Sequence, residues 1–194
     1  ESSALLEALV GQRGTPGDRQ ALAIGCFDLA VLCRAEGRPD AALTQYGRCI
    51  GLLEALIAQQ NTPADVRTLA DACRNAAALC RARGDAGGAL ALYEKSLPVL
   101  EALVQRLALP EDLHRLLDLY DRAAALRQDA GDEAGALALR EKSLPLYERQ
   151  LQQQDTPEAR RALAGRYDQA AAWRQDAGDQ AGALALYEQG LALR

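Results

Sequence analysis

The sequence repeats itself with a fixed period. Gly37, Gly84, Gly131 and Gly178 lie 47 residues apart at each step, and so do Pro16, Pro63, Pro110 and Pro157. The segment GDAGGALALYEKSLPVLEALVQR, starting at Gly84, returns as GDEAGALALREKSLPLYERQLQQ at Gly131 and as GDQAGALALYEQGLALR at Gly178. GRPDAALTQYGRCIGLLEALIAQQ, starting at Gly37, is a looser copy. Two independent markers sharing one period over four copies restrict the chain to an array of stacked units, each burying its apolar face against its neighbours.

Each unit reads as two helices. Helix A opens at Thr15-Pro16, Thr62-Pro63 and Thr156-Pro157, with Leu109-Pro110 the exception. A threonine N-cap accepts from an early backbone N–H, and proline at the first helical position forfeits only an unused donor. Asp18, Asp65, Asp112 and Glu158 follow in the first turn, where the helix dipole favours acids. Helix A ends at the repeated glycine, which can adopt the left-handed conformation. Helix B starts near Asp85, Asp132 or Asp179 and runs about 20 residues. Its apolar stripe is Leu90, Tyr93, Leu97, Leu100, Val104 and Leu107, spaced three and four apart. Pro98 and Pro145 fall inside this helix and are expected to bend it in the second and third repeats.

LLEALVGQR, starting at Leu5, aligns with LLEALIAQQ, starting at Leu52, so residues 1–14 read as the end of an earlier helix B. Repeats follow at 15–61, 62–108, 109–155 and 156–194, the last stopping partway along its helix B. The whole is expected to form one solenoid domain. Neither end carries a polar capping helix and the chain has no methionine, so the expectation is a fragment or processed product. Flanking repeats or another subunit would then cover its ends.

Composition narrows the function classes. The apolar content of 49% contains only 4% aromatic residues, which favours helices packed closely through alanine and leucine. A net charge of −5 argues against general binding to nucleic acid. No run of about 18 apolar residues exists, so no membrane span is expected. Cys26/Cys33 and Cys73/Cys80 are each seven residues apart, and Cys49 stands alone. Seven residues along a helix is roughly 10 Å, too far for a disulfide or a shared metal, so buried thiols in a reducing cytoplasm are expected. His114 is the only histidine and aligns with Gln20, Arg67 and Arg161, an exposed helix position. Without a second histidine, a phosphate loop or paired carboxylates, no catalytic residue, metal site or cofactor is expected.

With each glycine set as position 15 of a helix-turn-helix unit, position 8 is Ala30, Ala77, Ala124 and Ala171. Position 20 is Ala42, Ala89, Ala136 and Ala183, and position 27 is Cys49, Ser96, Ser143 and Gly190. Position 24 is Tyr46, Tyr93, Arg140 and Tyr187. This pattern of small residues resembles the tetratricopeptide repeat (TPR) along essentially the whole chain. The resemblance implies an all-α solenoid of antiparallel helix pairs with a right-handed superhelix. There are departures. The unit here is 47 residues against 34 in the family, so both helices must be longer. Position 11, commonly aromatic in the family, is Cys33, Cys80, Arg127 and Arg174.

The resemblance further implies a scaffold whose A helices line a groove for a peptide or a partner's helix. By the family pattern the groove includes Phe27, Arg34, Asp71, Arg74, Asn75 and Arg81 in the first two repeats. In the last two it includes Asp118, Asp121, Arg122, Gln128, Asp129, Asp168, Gln175 and Asp176. Arginine dominates early and aspartate late, over an apolar floor of Val31, Ala78, Ala125 and Ala172. A protein segment acidic at one end and basic at the other is the expected ligand. The family's clamp for chaperone tails, Lys at position 5 with Asn at position 9, is absent. Two other roles stay open: a regulatory segment of a larger enzyme or signalling protein, and a self-assembling array joined end to end. The first two repeats carry Cys-Cys at positions 4 and 11 where the last two carry Tyr-Arg, so two repeat subtypes meet near residue 108.

Overall fold

The computed structural model describes residues 15–194, so the expected helix end at 1–14 lies outside the described residues. The described residues form eight helices and no strand. The A helices are α1 (Pro16–Ala35), α3 (Pro63–Ala82), α5 (Pro110–Asp129) and α7 (Pro157–Asp176). The B helices are α2 (Pro39–Gln59), α4 (Ala86–Leu107), α6 (Glu133–Gln153) and α8 (Gln180–Ala192). The extra length of the unit is spent on helix: every A helix has 20 residues, and the first three B helices have 21, 22 and 21.

The helix ends obey the local chemistry. The hydroxyls of Thr15, Thr62 and Thr156 accept from the N–H of Asp18, Asp65 and Ala159 at 3.3, 3.2 and 3.1 Å. Leu109 has no such side chain, and its helix starts uncapped by one. At the far end, Gly37, Gly84, Gly131 and Gly178 have φ of 71°, 79°, 77° and 85°. Each turn closes with the same two bonds. Gly37 N–H donates to the Arg34 carbonyl and Arg38 N–H to the Cys33 carbonyl, and the three later turns match them. Helix B then starts on an aspartate cap in three of four repeats, with Asp85, Asp132 and Asp179 accepting from Gly88, Gly135 and Gly182. A Cβ on any of these three glycines would overlap the capping carboxylate.

The small positions do what the pattern requires. Ala30, Ala77, Ala124, Ala171, Ala42, Ala89, Ala136 and Ala183 are all buried, and so are Cys49, Ser96, Ser143 and Gly190. Close approach of A and B backbones leaves no room for larger side chains there, where overpacking typically costs 1–3 kcal/mol. Helices α4 and α6 run uninterrupted through Pro98 and Pro145, both of them exposed, so water can serve the carbonyl each proline leaves without a donor.

The chain divides into two compact units, one ending at Leu107 and the other beginning at Ala108. That is also where the repeat subtypes change. In the first unit, hairpins α1–α2 and α3–α4 pack through α2 against α3 around one apolar cluster. The cluster contains Cys26, Cys33, Tyr46, Cys49, Ile50, Leu53, Leu69, Cys73 and Leu79. All five cysteines are free and buried, and burial pushes the thiols of Cys49 and Cys73 up to about 12. In the second unit, hairpins α5–α6 and α7–α8 pack through α6 against α7. There the position-11 arginines turn from the core to the next helix cap: Arg127 reaches Asp132 at 2.6 Å, and Arg174 reaches Asp179 at 3.3 Å and Glu141 at 2.6 Å.

Candidate interaction surface

In the first unit, α1 and α3 lie side by side, and Asp65 shows how they are held. Its carboxylate is buried, accepting from the Thr62 hydroxyl at 2.7 Å and from Gln20 Nε2 of the neighbouring A helix at 2.9 Å. Farther along, Arg34 donates to Asn75 Oδ1 at 3.4 Å. Arg74 pairs with Asp71 on its own helix at 3.0 Å. Phe27 is half-buried, edge-on to Tyr46 with ring centroids 5.7 Å apart. Arg34 and Arg81, both exposed in the last turn of their helices, make no ion pair among the described residues. The first unit therefore presents guanidinium groups at the C-terminal ends of its A helices, where the helix dipole also favours a cation.

The second unit differs at the same register. Arg122 Nε donates to both carboxylate oxygens of Asp118 at 2.9 and 2.8 Å. Asp121 sits between three helices: it accepts from the Tyr147 hydroxyl of α6 at 2.7 Å and pairs with Arg166 of α7. Burial, the largest influence, pushes its carboxyl above the ordinary 3.8, against the pull of Tyr147 and Arg166. Asp168 pairs with Arg194 at the end of its own hairpin, the same register relation as Asp121 to Tyr147. Gln128 accepts from Arg140 at 2.9 Å, and Arg140 lies over the Trp173 ring. A cleft of about 490 Å³ beside Trp173 is lined by Gln128, Glu133, Leu137 and Asp176. Gln175 lines the corresponding cleft one repeat later, with Leu184 and Tyr187. Asp129 and Asp176, the last residues of α5 and α7, are exposed and make no ion pair among the described residues.

The charges chosen from sequence thus fall into two groups. Asp71, Arg74, Asp118, Arg122, Asp121 and Asp168 neutralise one another or near neighbours. Arg34 and Arg81 in one unit, and Asp129 and Asp176 in the other, keep their charge toward solvent. The unforeseen contacts are those between α6 and α7. Their trace in the sequence is a pair of linked exceptions: Arg140 stands where Tyr46 and Tyr93 stand, and Trp173 where Leu79 and Leu126 stand.

His114 is exposed on α5. Among the described residues no three His, Cys, Asp or Glu side chains converge as metal ligands, and no helix is long and apolar enough to cross a membrane.

No protein-family model and no curated relative matches the sequence. Solved structures do match the fold. The chain is similar to BtubC (BKLC) from P. vanneervenii, at 17% identity and a TM-score of 0.50, over 100% of this chain and 87% of that one. It is also similar to a Podosopora anserina protein of nearly identical TPR-like repeats, at 18% identity and a TM-score of 0.51, over 98% of this chain and 84% of that one. The fold is that of a TPR-like, all-α helical-repeat solenoid with a lengthened unit.

Proposed function

We propose that the chain is a protein-interaction scaffold rather than an enzyme. In this reading it binds a partner segment through the charged ends of its A helices. The first unit offers Arg34 and Arg81 to carboxylates, with Arg74, Asn75 and Phe27 beside them. The second offers Asp129 and Asp176 to basic side chains, with Gln128 and Gln175 beside them. A partner carrying acidic groups toward one end and basic groups toward the other complements both sets.

The observation that carries this reading is the placing of Asp129 and Asp176. A carboxylate at a helix C-terminus works against the helix dipole, and among the described residues neither aspartate has an ion-pair partner to offset it. Their position is better explained by something they bind than by stability. The five free, buried thiols favour a reducing compartment, and we place the protein in the cytoplasm.

The test is fluorescence anisotropy with labelled peptides bearing an acidic block, a basic block or both. The two-block peptide should bind most tightly. The Arg34→Glu/Arg81→Glu variant should weaken it more than about tenfold, with binding also falling as salt rises. Equal affinity for all peptides, or an unchanged affinity in the variant, would overturn the reading.

A further inference from the structure

Each unit packs a B helix against the A helix that follows it, and one register of that junction differs between the two. In the first unit, Arg83 caps the C-terminal end of α3 and pairs with Asp40 in the first turn of α2. The helix dipole favours a cation at that end. Two periods on, both partners are alanine: Ala177 at the end of α7 and Ala134 in the first turn of α6. The two alanines line the cleft of about 490 Å³ beside Trp173. The same cleft carries two carboxylates that the first unit lacks, Glu133 where Pro39 stands and Asp176 where Ala82 stands. Neither makes an ion pair among the described residues.

We propose that this cleft receives one long basic side chain of a partner protein, arginine or lysine, in the place that Arg83 fills in the first unit. The inference rests on the reading that the second unit meets a partner's basic groups, and it names where one of them enters. Trp173 and Leu137 offer half-buried apolar surface along which a methylene stem can lie. At the end of that stem the charge meets Glu133 and Asp176, together with the negative end of the α7 dipole. The chain's own arginines around the cleft are engaged elsewhere. Arg140 lies over the Trp173 ring and donates to Gln128, Arg127 is held by Asp132, and Arg174 by Glu141 and Asp179. An acidic side chain is a poor occupant because both carboxylates repel it, and an apolar one leaves them unpaired. Arg83 shows that a guanidinium is accommodated at this register while α2 and α3 stay packed.

The test is a titration of the whole chain with unlabelled peptides, free of aromatic residues, that carry a block of arginine, lysine or norleucine. Trp173 is the only tryptophan, so its emission reports on the cleft. At least one of the two basic peptides should shift that emission, and the norleucine peptide should not. Ala134→Asp/Ala177→Arg rebuilds the first unit's ion pair at two exposed positions, with net charge, Glu133 and Asp176 unchanged. This variant should bind the basic peptide more than about fivefold less tightly and lose the emission shift, while an acidic-block peptide binds it as before. Parent-like affinity of the basic peptide for the variant, or binding that leaves Trp173 unmoved, would overturn the cleft and leave the charged-face reading standing. Failure of both basic peptides to bind the parent would overturn the two together. If the variant loses helicity, Ala134→Gln/Ala177→Gln fills the same space without charge and replaces it in the titration.

Discussion

The guanidinium of Arg140 lies over the ring of Trp173, its Cζ 4.0 Å from the ring centroid, and joins α6 to α7. The same arginine donates to Gln128 of α5, so one side chain ties three helices of the second unit together. In the first unit, Tyr46 and Leu79 hold these positions, both buried in one apolar cluster. An arginine in this site needs the ring: without it, a partly desolvated cation would face an alkyl side chain.

A double-mutant cycle on Arg140→Ala and Trp173→Leu should therefore show a coupling of about 0.5–2 kcal/mol in urea unfolding. Trp173 is the only tryptophan, so its emission reports directly on this contact, and Arg140→Ala should shift it without loss of helicity. Additive single-variant effects would mean that the stacking contributes nothing beyond packing.

Ala108 adopts a φ of 56° at the turn from α4 into α5, a left-handed conformation that β-carbon sterics disfavour. The equivalent turn residue one repeat earlier is Asn61, with a φ of 45° and a side chain better suited to it. Ala108→Gly should raise stability by about 1 kcal/mol, seen as a higher midpoint in chemical denaturation. Ala108→Val should lower it by at least as much.

Asp129 and Asp176 oppose the dipoles of their own helices. Asp129→Asn and Asp176→Asn should each raise thermal stability by about 0.3–1 kcal/mol, most visibly at low salt. The same variants should weaken a partner's basic segment. Loss of stability on removing either charge would point to an unrecognised structural partner for it.

Two carboxyls should titrate on opposite sides of the ordinary 3.8. Asp132 is held below it by the Gly135 N–H, then by Arg127, whereas burial lifts Asp121 above it. The signs follow by linkage. The Asp132 contribution to stability is present above 3.8 and is lost as pH falls through its lowered value. The folded state keeps the Asp121 proton longer than the unfolded chain does, so that contribution is fullest below 3.8 and is lost as pH rises through the raised value. Carboxyl-carbon NMR titration should separate the two, and the stability advantage of the parent over Asp121→Asn should shrink with rising pH.

Much of the fold was legible in the sequence because its determinants are local. The Thr15 cap reaches three residues ahead and the Gly37 turn closes five residues back. Ala77 and Ala89 mark where two backbones touch, since only small residues survive there. The change of repeat subtype at residue 108 also coincides with the division into two compact units. The charged faces were less legible. Asp121 and Asp168 occupy one register and read alike, yet one is locked under Tyr147 and Arg166 while the other meets Arg194.

The sequence by itself determined the hairpin: its period, its caps, its left-handed glycines and its small contact positions, all set by backbone sterics and hydrogen bonding within a few residues. Only the tertiary structure decided which charges are paired inside the fold and which face solvent. An ion pair such as Arg166 with Asp121 joins residues 45 apart, and whether it forms depends on how two helices are turned toward each other.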